Sequence, residues 1–107
     1  MVTGAHTPLT VDLSGLRVAI TGGAGGIGSA MADSFYACGA KVFISDIDTA
    51  ALAASPHPHI RADAGVVADC EALVDAAVAQ LGGLDVLVNN AGIAGPTARV
   101  ELSLIHI

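Results

Sequence analysis

A chain of 107 residues has room for one domain or for part of a larger one. Its hydrophobic content of 53%, with only 3% aromatics, rests on Ala, Val, Leu and Ile; this excludes disorder and suits a parallel sheet covered by helices. The net charge of -6 excludes a basic surface for nucleic acid or an anionic membrane, because the only cations, Arg17, Lys41, Arg61 and Arg99, are spread along the chain.

Met1 to Leu13 is polar and irregular and is expected to form a loose arm. It has neither the basic start nor the apolar run of a signal peptide. No stretch reaches the roughly 18 apolar residues of a membrane span, so the expectation is a soluble, cytoplasmic protein. Cys38 and Cys70 have no paired spacing and read as reduced, buried small hydrophobes.

The first predicted strand covers Arg17 to Thr21, and the turn after it is the most informative part of the chain. Five of the seven residues from Gly22 to Gly28 are glycine, and a helical pattern follows at once over Gly26 to Cys38. Ile27, Ala30, Met31, Phe35 and Cys38 fall on one face of that helix, and Gly39 stands where a left-handed cap is expected. Strand, glycine turn and helix start together make an anion site, because the first amides of a helix lack internal partners and its dipole is positive there. A Cβ in the turn would hold a pyrophosphate away from the backbone.

A second strand over Lys41 to Ser45 ends at Asp46, eighteen positions beyond Gly28. An acidic residue about 20 positions beyond such a turn meets the hydroxyls of the adenosine ribose. Asp48 is the better N-cap for the short helix predicted at Thr49 to Ala54, which leaves Asp46 to the ribose. That helix stops at Ser55-Pro56-His57-Pro58. His57 and His59 flank Pro58 but have no carboxylate or cysteine at ligand spacing, so a plain solvent loop is expected and no metal site.

A brief strand is predicted at His59 to Ala62, followed by Asp63 and Ala64. A long helix follows over Val66 to Leu81, with Val67, Cys70, Val74, Ala77, Val78 and Leu81 on its apolar face. Gly82-Gly83 ends it, Asp85 reads as a turn residue opening the last strand, and Asp85 to Val88 runs into Asn89-Asn90-Ala91-Gly92. Alternating strands and helices imply right-handed crossovers and an α/β doubly wound parallel sheet of Rossmann type.

With these residues in place, the chain resembles the short-chain dehydrogenase/reductase family. The family's glycine pattern is Thr-Gly, three residues, Gly, one residue, Gly; it is met by Thr21, Gly22, Gly26, Ile27 and Gly28. Its Asn-Asn-Ala-Gly motif is met by Asn89 to Gly92, and the aspartate that contacts adenine is matched by Asp63. Ala64 stands where members more often have Val or Leu. The resemblance spans about residues 12 to 101.

It implies an oxidoreductase that moves a hydride between NAD(H) and an alcohol or carbonyl, usually as a homo-oligomer. The strand order implied is third, second, first, fourth, with the sheet truncated after the fourth strand. The cofactor would meet the turn at Gly22, Gly25, Gly26, Ile27 and Gly28. Its ribose would meet Asp46, its adenine Asp63 and Ala64, and its nicotinamide half Asn90, Ala91 and Gly92. NAD is expected over NADP, because Asp46 repels the extra phosphate and neither neighbouring position, Gly25 or Ile47, is basic to offset it.

The family's serine, tyrosine and lysine lie in a later half, with the lysine four residues after the tyrosine. The only tyrosine here is Tyr36, with Ala40 at that distance, so no catalytic residue and no turnover by this chain alone are expected. Residues 14–101 are therefore read as the first part of a dinucleotide-binding domain. Leu102 to Ile107 can be encoded by CTG-TCT-CTT-ATA-CAC-ATC, which resembles a sequencing-library adapter; a non-native tail is expected there, and His106 carries no functional reading. Two other functions remain open. A non-catalytic dinucleotide sensor would share every feature above. An S-adenosylmethionine-dependent methyltransferase would share the turn and the acidic residue, but not the glycine spacing or Asn-Asn-Ala-Gly.

Overall fold

The computed structural model describes residues 11–91. The arm up to residue 10, Gly92 and the tail at 102–107 lie outside the described residues. The elements run β1 (Arg17–Thr21), α1 (Gly26–Ala37), β2 (Lys41–Asp46), α2 (Thr49–Ala54), β3 (His59–Arg61), α3 (Val67–Leu81) and β4 (Val86–Val88). They pair as one parallel sheet in the order β3-β2-β1-β4, as the sequence implied. Helix ends and strand ends fall within a residue of expectation. Gly39 and Gly82 take the positive φ that closes the helices before them.

Side chains alternate across the strands and build two apolar layers. Val18, Ile20, Val42, Ile44, Val86 and Val88 point to one face, where Ala32, Ala40 and Leu52 cover them. Ala19, Phe43 and Leu87 point to the other, against Leu73, Ala77 and Leu81 of α3. Helices on both faces explain why the strands read as almost unbroken apolar runs.

The helices differ from expectation in how they are rotated. On α1 the buried residues are Gly28 and Ala32, while Ile27 is 74% exposed and Met31 and Phe35 are only partly buried. The smallest side chains face the strands because they permit the closest approach, so the large ones flank the contact. On α3 the buried stripe is Leu73, Ala77 and Leu81, and Val67 and Val78 are exposed. Alanines at 68, 72, 76, 77 and 79 make nearly every side of that helix weakly apolar, so periodicity alone left its rotation open.

Two smaller expectations are also corrected. His57 does not sit in a solvent loop: it is 7% exposed, its Nε2 lies 2.8 Å from Asp33 Oδ1, and its ring meets Tyr36 edge-on at 5.6 Å between centroids. A buried ring nitrogen must find a partner, and α1 supplies one. His59 opens β3, with its Nδ1 2.8 Å from the His57 carbonyl oxygen. Asp85 is more than a turn residue. Its carboxylate grips Arg17 from two sides, with Nε to Oδ2 at 3.0 Å and Nη2 to Oδ1 at 2.9 Å.

Candidate functional site

Strand register brings the candidate residues to one edge. Thr21 pairs with Ser45, Ile20 with Val88, and Asp46 with Arg61, so the strands all end at the same side of the sheet. Gly22 follows β1 directly, Asp46 is the last residue of β2, and Asp63 and Asn90 stand two residues beyond β3 and β4. In open α/β sheets this carboxyl edge, where the crossovers change direction, is where ligands bind. Here β1 lies between β2 and β4, so the change falls at β1.

The glycine turn is held close against its neighbours. Gly22 has φ +63, a left-handed conformation that glycine adopts without strain. A Cβ on Gly28 would overlap the Gly22 carbonyl oxygen and approach Asn90 Nδ2 to 2.8 Å. That close approach lets the first turn of α1 lie directly over the end of β1. Gly25, Gly26 and Ile27 are exposed, and no side chain caps α1 at Gly25. The first intrahelical bond is Ser29 N–H to Gly25 O at 3.3 Å, so the amides of Gly26, Ile27 and Gly28 have no acceptor within the helix. By contrast, α2 is capped by its own Asp48, whose carboxylate accepts from Ala51 N–H at 3.0 Å, as expected. These open, positively polarised amides fit a pyrophosphate.

Asp46 is half-buried at the end of β2. Its Oδ2 accepts from Ala24 N–H and its Oδ1 from Asp48 N–H, both at 3.1 Å. Ile47 beside it is exposed. Asp63 is exposed beyond β3; its Oδ1 accepts from Gly65 N–H at 2.8 Å, the turn-closing role that a strand-end aspartate takes readily. Its own N–H donates to Asp69 Oδ2 at 2.8 Å. Ala64 is half-buried, and its carbonyl accepts from Cys70 Sγ at 3.3 Å. Burial first, then the Asp69, Asp63 and Glu71 carboxylates, push the Cys70 thiol above its usual range, which makes it a poor nucleophile.

On the opposite side of the turn, Asn90 Nδ2 donates to Gly22 O at 3.1 Å. Buried Thr21 is the hub beneath them. Its Oγ1 accepts from Ala91 N–H at 3.0 Å and lies 3.4 Å from Val88 O and 3.3 Å from Asn89 Oδ1. One hydroxyl proton serves one of those two acceptors at a time. Thr21 was named as part of the glycine pattern; Gly23, Ala24 and Asp69 are parts of this site that the sequence did not single out. Gly23 and Ala24 stand inside the glycine motif, which was the available signal; nothing in the sequence marked Asp69.

An open helix start beneath a glycine turn, with a carboxylate at the end of the second strand and an Asn-Ala segment after the fourth, defines a dinucleotide-type Rossmann unit. Comparison with known proteins gives the family: the short chain dehydrogenase model matches residues 17–106, and the chain belongs to that family of oxidoreductases. It is 41% identical over 110 residues to the sex determination protein tasselseed-2 of Zea mays, covering 96% of this chain and 33% of that protein. It is 45% identical over 80 residues to galactitol 2-dehydrogenase of Agrobacterium fabrum, covering 69% of this chain and 31% of that one. Among solved structures, a 3-ketoacyl-(acyl-carrier-protein) reductase from Brucella melitensis complexed with NADH is similar, with a TM-score of 0.68 at 36% identity. That match covers 72% of this chain and 34% of the reductase. The chain thus spans about a third of the length of the relatives it matches.

Proposed function

We propose that this chain forms the NAD-binding part of a dehydrogenase or reductase that acts on a small alcohol or carbonyl compound. The observation that carries this reading is the start of α1, where the amides of Gly26, Ile27 and Gly28 are open and the helix lies so close to the end of β1 that Gly28 has no room for a Cβ. Gly22 and Gly25 shape that cradle. The carboxylate of Asp46 takes the adenosine ribose, with Ile47 beside it, and Asp63 and Ala64 border the adenine. Asn90, Ala91 and Gly92 border the nicotinamide half. When bound, the cofactor supplies the hydride carrier. This chain's residues hold it and assign no proton transfer, and the whole protein is read as a homo-oligomer of the cytoplasm. The NADH-bound reductase similar in fold and sequence supports the cofactor class.

Asp46 favours NAD over NADP. Two ribose hydroxyls can donate to it, whereas a phosphate there would meet a carboxylate with no basic side chain at Gly25 or Ile47. Charge-assisted hydrogen bonds are worth about 1.5–3 kcal/mol, a preference of roughly ten- to a hundredfold. Steady-state kinetics of the intact protein with both cofactors and a panel of secondary alcohols tests this. NAD-dependent turnover is expected. A preference for NADP would remove the Asp46 assignment, and nucleotide binding without turnover on any substrate would favour a sensor.

A further inference from the structure

The glycine turn does not project freely from β1; it lies across the end of β2. Gly23 N–H donates to Ser45 O at 2.9 Å, and a Cβ on Gly23 would come within 2.7 Å of Ile44 Cβ. The next amide, Ala24 N–H, donates to Asp46 Oδ2 at 3.1 Å. The other carboxylate oxygen holds Asp48 N–H, and the Asp46 carbonyl accepts from Ala62 N–H at 3.1 Å. Asp46 therefore ties the turn that opens α1 to the turn that opens α2. A carboxylate offers about four lone-pair sites, so two bonds to amides leave two for a vicinal diol.

We propose that Asp46 is a positioning residue for the phosphate subsite in addition to its ribose contact. By holding the Ala24 amide it fixes the conformation in which Gly26, Ile27 and Gly28 present their amides to a diphosphate. This rests on the dinucleotide reading above. The two roles of Asp46 separate with a ligand that cannot use the first. An NAD analogue whose adenosine ribose lacks both hydroxyls has nothing to donate to the carboxylate. On charge alone, removing Asp46 should tighten such an anionic ligand or leave it unchanged. If Asp46 positions the turn, removing it weakens the analogue.

The test is calorimetric titration of the intact protein with NAD and with that dideoxy analogue, in the wild type, Asp46→Ala and Asp46→Asn. Hydrogen exchange at the Ala24 amide is measured alongside. Asp46→Asn keeps the side chain's shape with one accepting oxygen, and it decides the matter if Asp46→Ala does not fold. The analogue is expected to bind both variants about fivefold more weakly than the wild type, with exchange at Ala24 about tenfold faster, as the loss of a structural hydrogen bond implies. Analogue affinity equal to or tighter than wild type, or unchanged exchange at Ala24, overturns the proposal. If the wild type binds neither nucleotide, the dinucleotide reading falls and takes this proposal with it. If the wild type binds both and the variants lose only NAD, the positioning role alone falls.

Discussion

The side-chain amide of Asn90 donates to the carbonyl of Gly22, joining segments 68 positions apart, and Gly28 lies beneath that bond with no space for a side chain. The turn after β1 and the segment after β4 are therefore one packed unit. A Gly28→Ala substitution sets two effects against each other. Alanine in a helix interior is favoured over glycine by about 1 kcal/mol. Overlap of the new methyl with the Gly22 carbonyl costs about 1–3 kcal/mol or more, as overpacking does. The clash is with backbone, which cannot rotate away, so net destabilisation and weaker NAD binding are expected. Urea denaturation of the intact protein checks the sign; a gain in stability would mean that the approach of α1 to the turn is looser than described.

At the opposite end of the sheet, Arg17 and Asp85 fasten β1 to the start of β4. Arg17 N–H also donates to Asp85 Oδ2 at 2.9 Å, and Nη1 reaches the Gly82 carbonyl at 2.9 Å. Hydrogen bonding to Arg17 lowers the Asp85 carboxyl from 3.8 to about 2. A carboxyl with a depressed folded value stabilises the fold above its unfolded value, and that contribution is lost as pH falls through the folded one. Asp85→Asn should therefore lower the melting temperature at neutral pH, with the gap to wild type closing between about pH 3.8 and pH 2. The pair is far from the carboxyl edge, so nucleotide affinity should not change. A gap that persists below that window would show that the carboxylate's charge is not its contribution.

Asp48 tests a purely local effect. Its carboxylate accepts from Ala51 N–H at the start of α2. Asp48→Ala should cost about 1 kcal/mol, the usual value of an N-cap. It also leaves the Asp48 backbone amide on Asp46 in place, so cofactor preference should hold. Denaturation curves paired with NAD and NADP affinities separate the two consequences. A shift in preference would place Asp48, not Asp46, at the ribose.

The sheet and its order were legible because each strand is a short apolar run between glycine, proline or aspartate signals, and because the motifs after the strands occur in sequence order. Gly22 could be named from the glycine turn, Asp46 from its spacing behind that turn, and Asn90 from the Asn-Asn-Ala-Gly motif of the family the chain resembles. Helix rotation was not legible. A sheet selects small residues such as Gly28 and Ala32 for closest approach, whereas a periodicity argument weights large ones such as Ile27. The contacts of His57 with Asp33, and of Arg17 with Asp85, join residues far apart in sequence with no motif between them; only the packed fold brings them together. The hold of Asp46 on Ala24 N–H was hidden because an acceptor for a backbone amide leaves no mark on the sequence of the donor.

In the function proposed above, the amides at the start of α1 take the diphosphate of NAD. Amide chemical shifts of the intact protein, followed during titration with NAD, test it most directly. Saturable shifts are expected, largest at Gly25, Gly26, Ile27 and Gly28, with smaller ones at Asp46 and Asp63. Saturable binding whose largest shifts lie away from the glycine turn, or no saturable binding at all, would contradict it.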